Sequence, residues 1–549
     1  MVSVIKKLFN YPIWVIILLS IPAVWALFVP GFYGASDDMH SAWLQQIDKV
    51  LKMGQIPPRF VPDLSFGFGY PLFNFAFPLP FYIAEIFHLI GFSLVDSIKL
   101  VFILSLPLSG IGMYLFLKEF TNNLLSLTGA VLYIYTPYRA VDIYIRGAIG
   151  EIVSFVFLPL IALSFLKIKK SGSLMWVGVG ALSLASLVLS HNITAYMFFP
   201  FVVLLIIILW DSKKSSEYLA NIFKTIFLAL LISSYFWLPA IYESSLMKYD
   251  TIFNFTDHFP TIKQLITPYW GYGASVPGPH DGMSFFLGLV NILVLVAGGF
   301  LTILTWKKFK KLEKRILLWA TIGLAVALFL MNFRSTFIWQ NLPLLPYFQF
   351  PWRFLTLTTF FTPILLIAFK HLKNKSLAII LIVIIVLSSW SYFKPQDFLG
   401  RLDDYYLNRY IPYPKASDEY FKIQEEYLRL PKTTKERPAA NYPTFFSMND
   451  EMVNVVKVND LHFLVSLKPK MEIRANFNKY YFPGWQAKID GQEVPIRPGL
   501  PFGQISFSVP PGPHKLEVFY SEPRAKLILD FASLVGFLVS LGMIFKTKR

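Results

Sequence analysis

The sequence contains no cysteine and few charged residues. Among 549 residues there is no cysteine, and only 15% are aspartate, glutamate, lysine or arginine. The missing thiols exclude disulfides, thiolate metal sites and cysteine nucleophiles, and they leave the redox compartment undecided. A chain that is 55% hydrophobic, with a mean hydropathy of +0.53, is typical of an integral membrane protein.

Motifs of several common protein classes are also absent. The sequence has no P-loop, no Gly-x-Gly-x-x-Gly after a strand, no His-Glu-x-x-His and no Gly-x-Ser-x-Gly. Its apolar runs carry almost no ionisable residue near their centres, which disfavours an ion-coupled transporter. The net charge of +17 is spread over short loops rather than gathered on one face, so the sequence does not indicate a nucleic-acid partner.

The apolar runs predict about twelve transmembrane helices with both termini inside. The ambiguous run 75–92 decides the topology. If it lies at the outer surface, every inside loop is basic, as the positive-inside rule requires; if it spans, Lys167–Lys170 moves outside. The runs are 13–29, 97–117, 124–137, 151–166, 173–189, 193–210, 222–240, 284–305, 314–331, 353–369, 376–392 and 525–545. The inside loops carry Lys6, Lys7, Lys118, Lys167, Lys169, Lys170, Lys213, Lys214, Lys307, Lys308, Lys310, Lys311, Lys370, Lys373, Lys375, Lys546, Lys548 and Arg549.

This topology divides the chain into three parts. We expect a mainly α transmembrane domain over 1–392, with an outer loop at 30–96. An extracytoplasmic domain follows over 393–523 and is β-rich in 453–523, and 524–549 forms a last transmembrane helix with a basic cytoplasmic tail. Alternating residues between glycine and proline turns predict a small β-sandwich. The predicted strands are 471–477, 485–489, 494–496, 505–509 and 515–520.

A polar stretch with two acids follows the first apolar run. Asp37, Asp38 and His40 precede an amphipathic helical segment that Gly54 ends. One interpretation is a site built from acids and a histidine at the outer membrane surface. The other is a helix capped by Ser36, whose first-turn acids complement the helix dipole. The apolar face of the segment is Met39, Trp43, Ile47, Val50 and Leu51.

Two arginines in the next predicted outer loop run against the charge bias. Arg139 and Arg146 carry the planar guanidinium fork that suits phosphate oxygens. A lipid phosphate would lie at this depth. The alternatives are pairing with Asp142 or Glu151, or with lipid headgroups.

Further polar residues occupy the remaining outer segments. His191 and Asn192 lie in a tight turn, where the histidine is either functional or a polar cap. Arg353 opens a span and needs a counter-charge or a ligand, whereas Trp352 is read as an interfacial anchor. Aromatic residues at 269–273 suit a sugar site or an aromatic belt. Candidate polar residues in the same loop are His258, His280 and Asp281.

Several of these pieces resemble known membrane families. The acidic pair after the first span, with its amphipathic helix and a second interfacial helix, resembles the type-C glycosyltransferase superfamily. Other pieces are similar to the membrane family labelled 6-pyruvoyl-tetrahydropterin synthase-related, although no zinc site of a pterin synthase is present. The run Tyr480–Trp485 with Asp490-Gly491 resembles the outer domain of YfhO-type bacterial membrane proteins. The pieces in the second group are 54–60, 67–73, 136–139, 146–151 and 190–192.

The resemblance implies a function and a site. Type-C glycosyltransferases take sugars from polyprenyl-phosphate carriers and use a first-loop acid as catalytic base or metal ligand, which maps to Asp37 or Asp38. YfhO-type proteins are linked to the glycosylation of cell-surface polymers. The implied donor is a polyprenyl-phosphate sugar, and the implied acceptor is a polymer or protein. A divalent metal, magnesium or manganese, could be held by Asp38 and His40, although their spacing is no metal motif.

We therefore expect an inverting glycosyltransferase in the plasma membrane, acting at the outer face. The alternative is a non-catalytic protein that binds, translocates or scaffolds lipid-linked sugars and whose acids only cap a helix. The first hypothesis requires the acids to share one cavity with the basic residues. The expected substrate-binding residues are His40, Arg139, Arg146, Glu151, His191, Asn192 and Arg353.

Overall fold

The computed structural model describes residues 11–211, 215–248, 254–372, 374–411, 430–438, 442, 445–446 and 453–546. The topology-defining Lys6, Lys7, Lys213, Lys214, Lys373, Lys548 and Arg549 lie outside these ranges. A helix forms in every predicted apolar run, because backbone groups in hydrocarbon must be satisfied within their own segment. The helices are α1 (Pro12–Val24), α2 (His40–Lys52), α3 (Leu79–Leu89), α4 (Leu94–Leu117), α5 (Asn123–Ile134), α6 (Pro137–Val141), α7 (Ile149–Ser171), α8 (Leu174–Ser190), α9 (Asn192–Leu209), α10 (Ser215–Glu243), α11 (Ile262–Ile266), α12 (Leu289–Leu304), α13 (Lys311–Leu330), α14 (Thr336–Asn341), α15 (Leu355–Phe361), α16 (Lys375–Ser389), α17 (Asp403–Tyr410) and α18 (Arg524–Lys546).

Only some of these helices are long enough to cross a membrane by themselves. Within the described residues, six helices have the required length and apolar composition, or seven if the pair α13 and 333–341, bent by 89°, counts as one. The predicted number of twelve spans therefore stays a prediction. Helix α3 has 11 residues, which gives a length of about 16 Å, roughly half a hydrocarbon core. The six are 94–117, 149–171, 192–209, 216–246, 351–372 and 524–546.

Loops that the charge pattern assigns to one side do contact one another. Glu119 pairs with Lys167 at 2.6 Å and with Lys170 at 2.7 Å. Lys370 pairs with Glu313 at 2.5 Å. These ion pairs bring consecutive predicted inside loops together at one end of the helices.

Helix α2 buries the face that the sequence predicts. Met39, Trp43, Ile47 and Val50 are all buried. The predicted cap is wrong, however. The helix begins at His40 after Met39, without a side-chain cap, and its first turn contains no acid. The two acids are therefore not accounted for by helix capping.

The C-terminal region contains two antiparallel sheets with one hydrophobic core. Its strands are β1 (Phe445–Phe446), β2 (Val453–Asn459), β3 (His462–Leu467), β4 (Ile473–Tyr480), β5 (Trp485–Ile489), β6 (Gln492–Val494), β7 (Arg497–Pro498), β8 (Gln504–Val509) and β9 (His514–Tyr520). One sheet has the order β1-β4-β8-β7 and the other β2-β3-β9-β5-β6. The predicted Asp490-Gly491 turn joins β5 to β6, and both residues have positive φ, as this hairpin turn requires. The predicted sandwich stays a prediction.

A buried ionic network, here called the Arg59 network, connects this region to the helices. Its members are Arg59, Glu243, Glu522, Lys526 and Asp530. Arg59 binds Asp530 through two hydrogen bonds of 2.5 and 3.1 Å, and it lies 3.7 Å from Glu522. Lys526 pairs with Glu243 at 2.9 Å. Each charge thus faces an opposite one at the junction of α10, α18 and the end of β9.

Candidate functional site

A cavity of about 690 Å³ lies where the predicted outer segments meet. Its volume is in the range of small-molecule sites. Charged, polar and aromatic side chains line it together, which is unusual beside apolar helices. The lining residues are 36, 37, 39, 40, 43, 75–77, 146, 148, 150, 151, 191–193, 274, 275, 283, 346, 347, 349, 350, 352 and 353.

Asp37 reaches this cavity because the first loop pairs with the loop before α7. The Asp37 amide donates to the Arg146 carbonyl at 2.7 Å, and His40 Nε2 donates to the Gly147 carbonyl at 2.7 Å. Gly147 has a φ of +70°, and a Cβ there would lie 2.8 Å from the Asp37 carbonyl oxygen. A side chain at position 147 would therefore push the acid loop away, so the glycine is required.

Asp38 faces away from the cavity. It accepts a hydrogen bond from Tyr410 of α17, and Arg401 and Arg409 lie 3.9 and 3.8 Å from its carboxylate. Burial and the nearby Asp38 charge raise the pKa of Tyr410. The two adjacent acids thus have different surroundings: Asp37 lines the cavity, and Asp38 ties the first loop to α17.

Arg146 lies on a π-helical turn, Asp142–Arg146, a local distortion that is frequent at functional sites. Its Nη1 donates to Asp142, to Glu151 at 2.7 Å and to the Tyr138 hydroxyl at 3.2 Å. Its guanidinium carbon also lies 4.9 Å from the centre of the Trp352 ring. These contacts fix the guanidinium at the cavity wall.

Glu151 serves as the counter-charge of this arginine. It is buried, and its Oε1 accepts from Tyr138 at 2.8 Å and from Thr356 at 2.5 Å. Its Oε2 accepts from Arg146. Both oxygens are engaged, so Glu151 is suited to hold the arginine rather than to accept a proton from a substrate.

Arg353 is the contrasting cation. It is 9% exposed, lies 5.3 Å from the centre of the Phe350 ring and donates to the Phe348 carbonyl at 3.3 Å. In the described part of the chain no carboxylate forms an ion pair with it, and its Nε makes no hydrogen bond. A buried guanidinium of this kind is suited to an anionic ligand.

His191 contributes a neutral donor. Its Nδ1 caps α9: it accepts from the Thr194 amide at 3.4 Å and lies 2.7 Å from the Thr194 hydroxyl. With Nδ1 assigned as this acceptor, the proton of the neutral ring is on Nε2. Burial, together with the nearby charges of Arg353 and Arg146, lowers the pKa of His191 from 6.5 to about 3. Asn192 lies beside it at the cavity and is exposed.

An aromatic wall completes the cavity and includes a residue that sequence reasoning missed. The Trp352 and Phe350 rings stack at 5.0 Å. Ser275 accepts from Trp352 Nε1 at 3.2 Å and from His258 at 2.9 Å, and it donates to Asp281 at 2.8 Å. The reading of Trp352 as an interfacial anchor is wrong, because this tryptophan is buried in the wall. A lone serine in a loop gives no sequence signal.

The structure brings together most of the predicted site residues but not all. Arg139 does not line the cavity. It is fully buried, donates to Ser109 at 3.1 Å and lies 4.3 Å from the Phe155 ring centre. The aromatic run 269–273 does not line the cavity; in this loop the first lining residue is Ala274. The predicted residues that do line the cavity are Asp37, His40, Arg146, Glu151, His191, Asn192 and Arg353.

The predicted metal pair is not supported by further ligands. Among the described residues there is no group of three or more histidine, cysteine, aspartate or glutamate side chains that could hold a metal ion. Asp38 and His40 bind Tyr410 and Gly147 instead. The donor set therefore does not fit magnesium or manganese at this pair.

Comparison with known proteins identifies the family. A model described as "6-pyruvoyl-tetrahydropterin synthase related domain; membrane protein" matches residues 73–396, more than half of the chain. The chain belongs to this family of membrane proteins. It is also 27% identical, over 246 residues, to an uncharacterized protein of Lactococcus lactis subsp. cremoris (strain MG1363). That match covers 43% of this chain, and the chain spans only 40% of the relative's length.

Proposed function

We propose that this member of a membrane-protein family is a glycosyltransferase that uses a polyprenyl-phosphate-linked sugar. The observation that carries the proposal is the cavity cluster, defined as Asp37, Arg146, Glu151, His191 and Arg353, which lines one cavity. An acid, two guanidinium groups and a neutral N–H donor are the groups that transfer from a phosphate leaving group requires.

In the proposed reaction Asp37 is the general base. An acceptor hydroxyl loses its proton to the Asp37 carboxylate, and its oxygen bonds to the anomeric carbon. The bond from that carbon to the phosphate oxygen breaks, and its electron pair stays on the phosphate. Attack opposite the leaving group inverts the anomeric configuration.

The leaving phosphate gains a second negative charge in this step. Arg353 and Arg146 are the groups suited to stabilise that charge, because guanidinium forks bind phosphate oxygens. Their position on a preformed aromatic wall avoids the cost of reorganising them during reaction. His191 donates an uncharged N–H. Glu151 keeps Arg146 in place.

The proposed function requires a defined membrane topology. The cavity and the C-terminal β-sheet region lie at the outer face of the plasma membrane, about twelve spans carry the cavity, and both termini are inside. The two sheets form a sandwich that presents a polymer or protein acceptor. The transmembrane part comprises 1–392, the outer domain 393–523, and the last helix with its tail 524–549.

The alternative is a scaffold that binds lipid-linked sugars without transferring them. The cavity itself is compatible with both functions. The catalytic reading is favoured because Asp37 lines the cavity and the first turn of α2 contains no acid.

The test is transfer of radiolabelled sugar from polyprenyl-phosphate donors to envelope acceptors in membranes. Asp37→Asn should abolish transfer while protein level and melting temperature stay at the wild-type values. The neighbouring Asp38→Asn is the matched control, and it should lower the melting temperature because Arg401 and Arg409 lose their counter-charge, while the amide oxygen still accepts from Tyr410. Transfer by Asp37→Asn at the wild-type rate would refute the catalytic reading.

A further inference from the structure

One residue of the cavity wall has a strained backbone. Gln349 has φ +67° and ψ −50°, and the Phe350 amide donates to the Phe348 carbonyl at 2.7 Å. These values define a classic γ-turn, which is rare and costly for a residue with a side chain. Such strain persists when the surrounding structure enforces it, and it is frequent at ligand sites.

The side chain of Gln349 stands out by its chemistry. From Leu342 to Trp352 it is the one amide in a run of leucine, proline and aromatic residues. It lines the cavity and is partly buried. Within the described residues its amide group makes no hydrogen bond, although both its donor and its acceptor could do so.

The turn also links Gln349 to the phosphate-binding residues. The Phe348 carbonyl that closes the γ-turn accepts from Arg353 Nη1 at 3.3 Å. Phe350, on the other side, stacks on Trp352, on which Arg146 lies. The turn therefore places the Gln349 amide in the same cavity lining as the two guanidinium groups.

We propose that Gln349 is a specificity-determining residue whose side-chain amide hydrogen-bonds hydroxyl groups of the sugar next to its phosphate. The proposal rests on the proposed function and names the part of the donor that this wall recognises. A carboxamide donates and accepts at once, which matches a pair of neighbouring sugar hydroxyls. Loss of a hydrogen bond from a buried polar partner is costly, so the residue discriminates against ligands without the sugar.

The experiment compares two ligands with the same prenyl tail, a prenyl phosphate and its glucosyl ester, on the purified full chain. Binding to the wild type and to Gln349→Gly and Gln349→Leu is measured by competition with a labelled donor. The wild type should prefer the glucosyl ester, and both variants should lose that preference by about tenfold while binding the sugar-free phosphate equally well. Gln349→Gly should also raise the melting temperature, because glycine adopts positive φ without strain.

The readouts separate this proposal from the proposed function. If no donor supports transfer yet the wild type prefers the glucosyl ester and Gln349→Gly does not, the catalytic proposal fails and the role of Gln349 stands. Equal preference in wild type and variants overturns that role, as does a wild type without preference. Weaker binding of both ligands in Gln349→Gly, with a lower melting temperature, would show that the turn is merely structural.

Discussion

The cavity cluster and the Arg59 network are two buried groups of charges that differ in how completely they are paired. In the Arg59 network each cation faces carboxylates: Arg59 faces Asp530 and Glu522, and Lys526 faces Glu243. In the cavity cluster Arg146 is paired, whereas Arg353 has a carbonyl and an aromatic ring instead of a carboxylate in the described structure. In a closed network the loss of one charge leaves its partner unpaired, whereas an incomplete network next to a cavity is suited to a ligand.

The largest expected effect comes from breaking the closed network. Arg59→Met leaves the partly buried Asp530 carboxylate without its partner and should lower the free energy of unfolding by about 3 kcal/mol. The measurement is the unfolding midpoint of the full chain in detergent. The double variant Arg59→Met/Asp530→Leu is the control and should recover most of the loss, because two apolar side chains replace the pair. If Arg59→Met unfolded at the wild-type midpoint, the Arg59 network would not differ from the cavity cluster in its contribution to stability.

Removing Arg353, the incompletely paired cation, should affect activity rather than stability. Under the proposed function, Arg353→Gln should lower sugar transfer by about a hundredfold, because a preorganised donor to the leaving phosphate is lost. Its unfolding midpoint should stay near the wild-type value, since no carboxylate loses a partner. Arg353→Lys keeps the charge without the fork and should lie between the two. A large loss of stability with unchanged transfer would mean that Arg353, like Arg59, has a structural role.

The smallest expected effect is a pH dependence of stability that arises from His191. Its folded-state pKa of about 3 is below the ordinary value of 6.5. Between these values the unfolded chain binds a proton there and the folded chain does not, so stability falls as pH falls. From pH 6.5 to 5 the loss should be about 2 kcal/mol.

His191→Gln supplies the control for this effect. The stability difference between wild type and variant should change over pH 5–6.5 and be constant above pH 7.5. A difference that stays constant over the whole range would mean that His191 titrates alike in the folded and unfolded chains.

The sequence predicted the helices of the apolar runs and the strands β4, β5, β8 and β9, because their signals are local. An apolar run forms a helix in a membrane whatever its neighbours are, and Asp490-Gly491 forms its turn by its own conformational preference. Most of the cavity residues could also be predicted from the sequence, since polar residues beside apolar runs are conspicuous.

The distinction between the adjacent acids could not be predicted. It depends on Tyr410, which is 372 positions from Asp38 along the chain. Arg59 and Asp530 are 471 positions apart, and nothing in either local sequence specifies the other. The strained turn at Gln349 was likewise beyond prediction, because the surrounding wall, rather than the residue type, determines it.

The bond between Asp38 and Tyr410 has a consequence for biosynthesis. The ribosome delivers the acid loop first and α17 only after nearly four hundred residues. Until then the loop lacks the contact that anchors it, although Gly147 has already been made. A nascent chain therefore holds its acid loop without this contact until α17 has been synthesised.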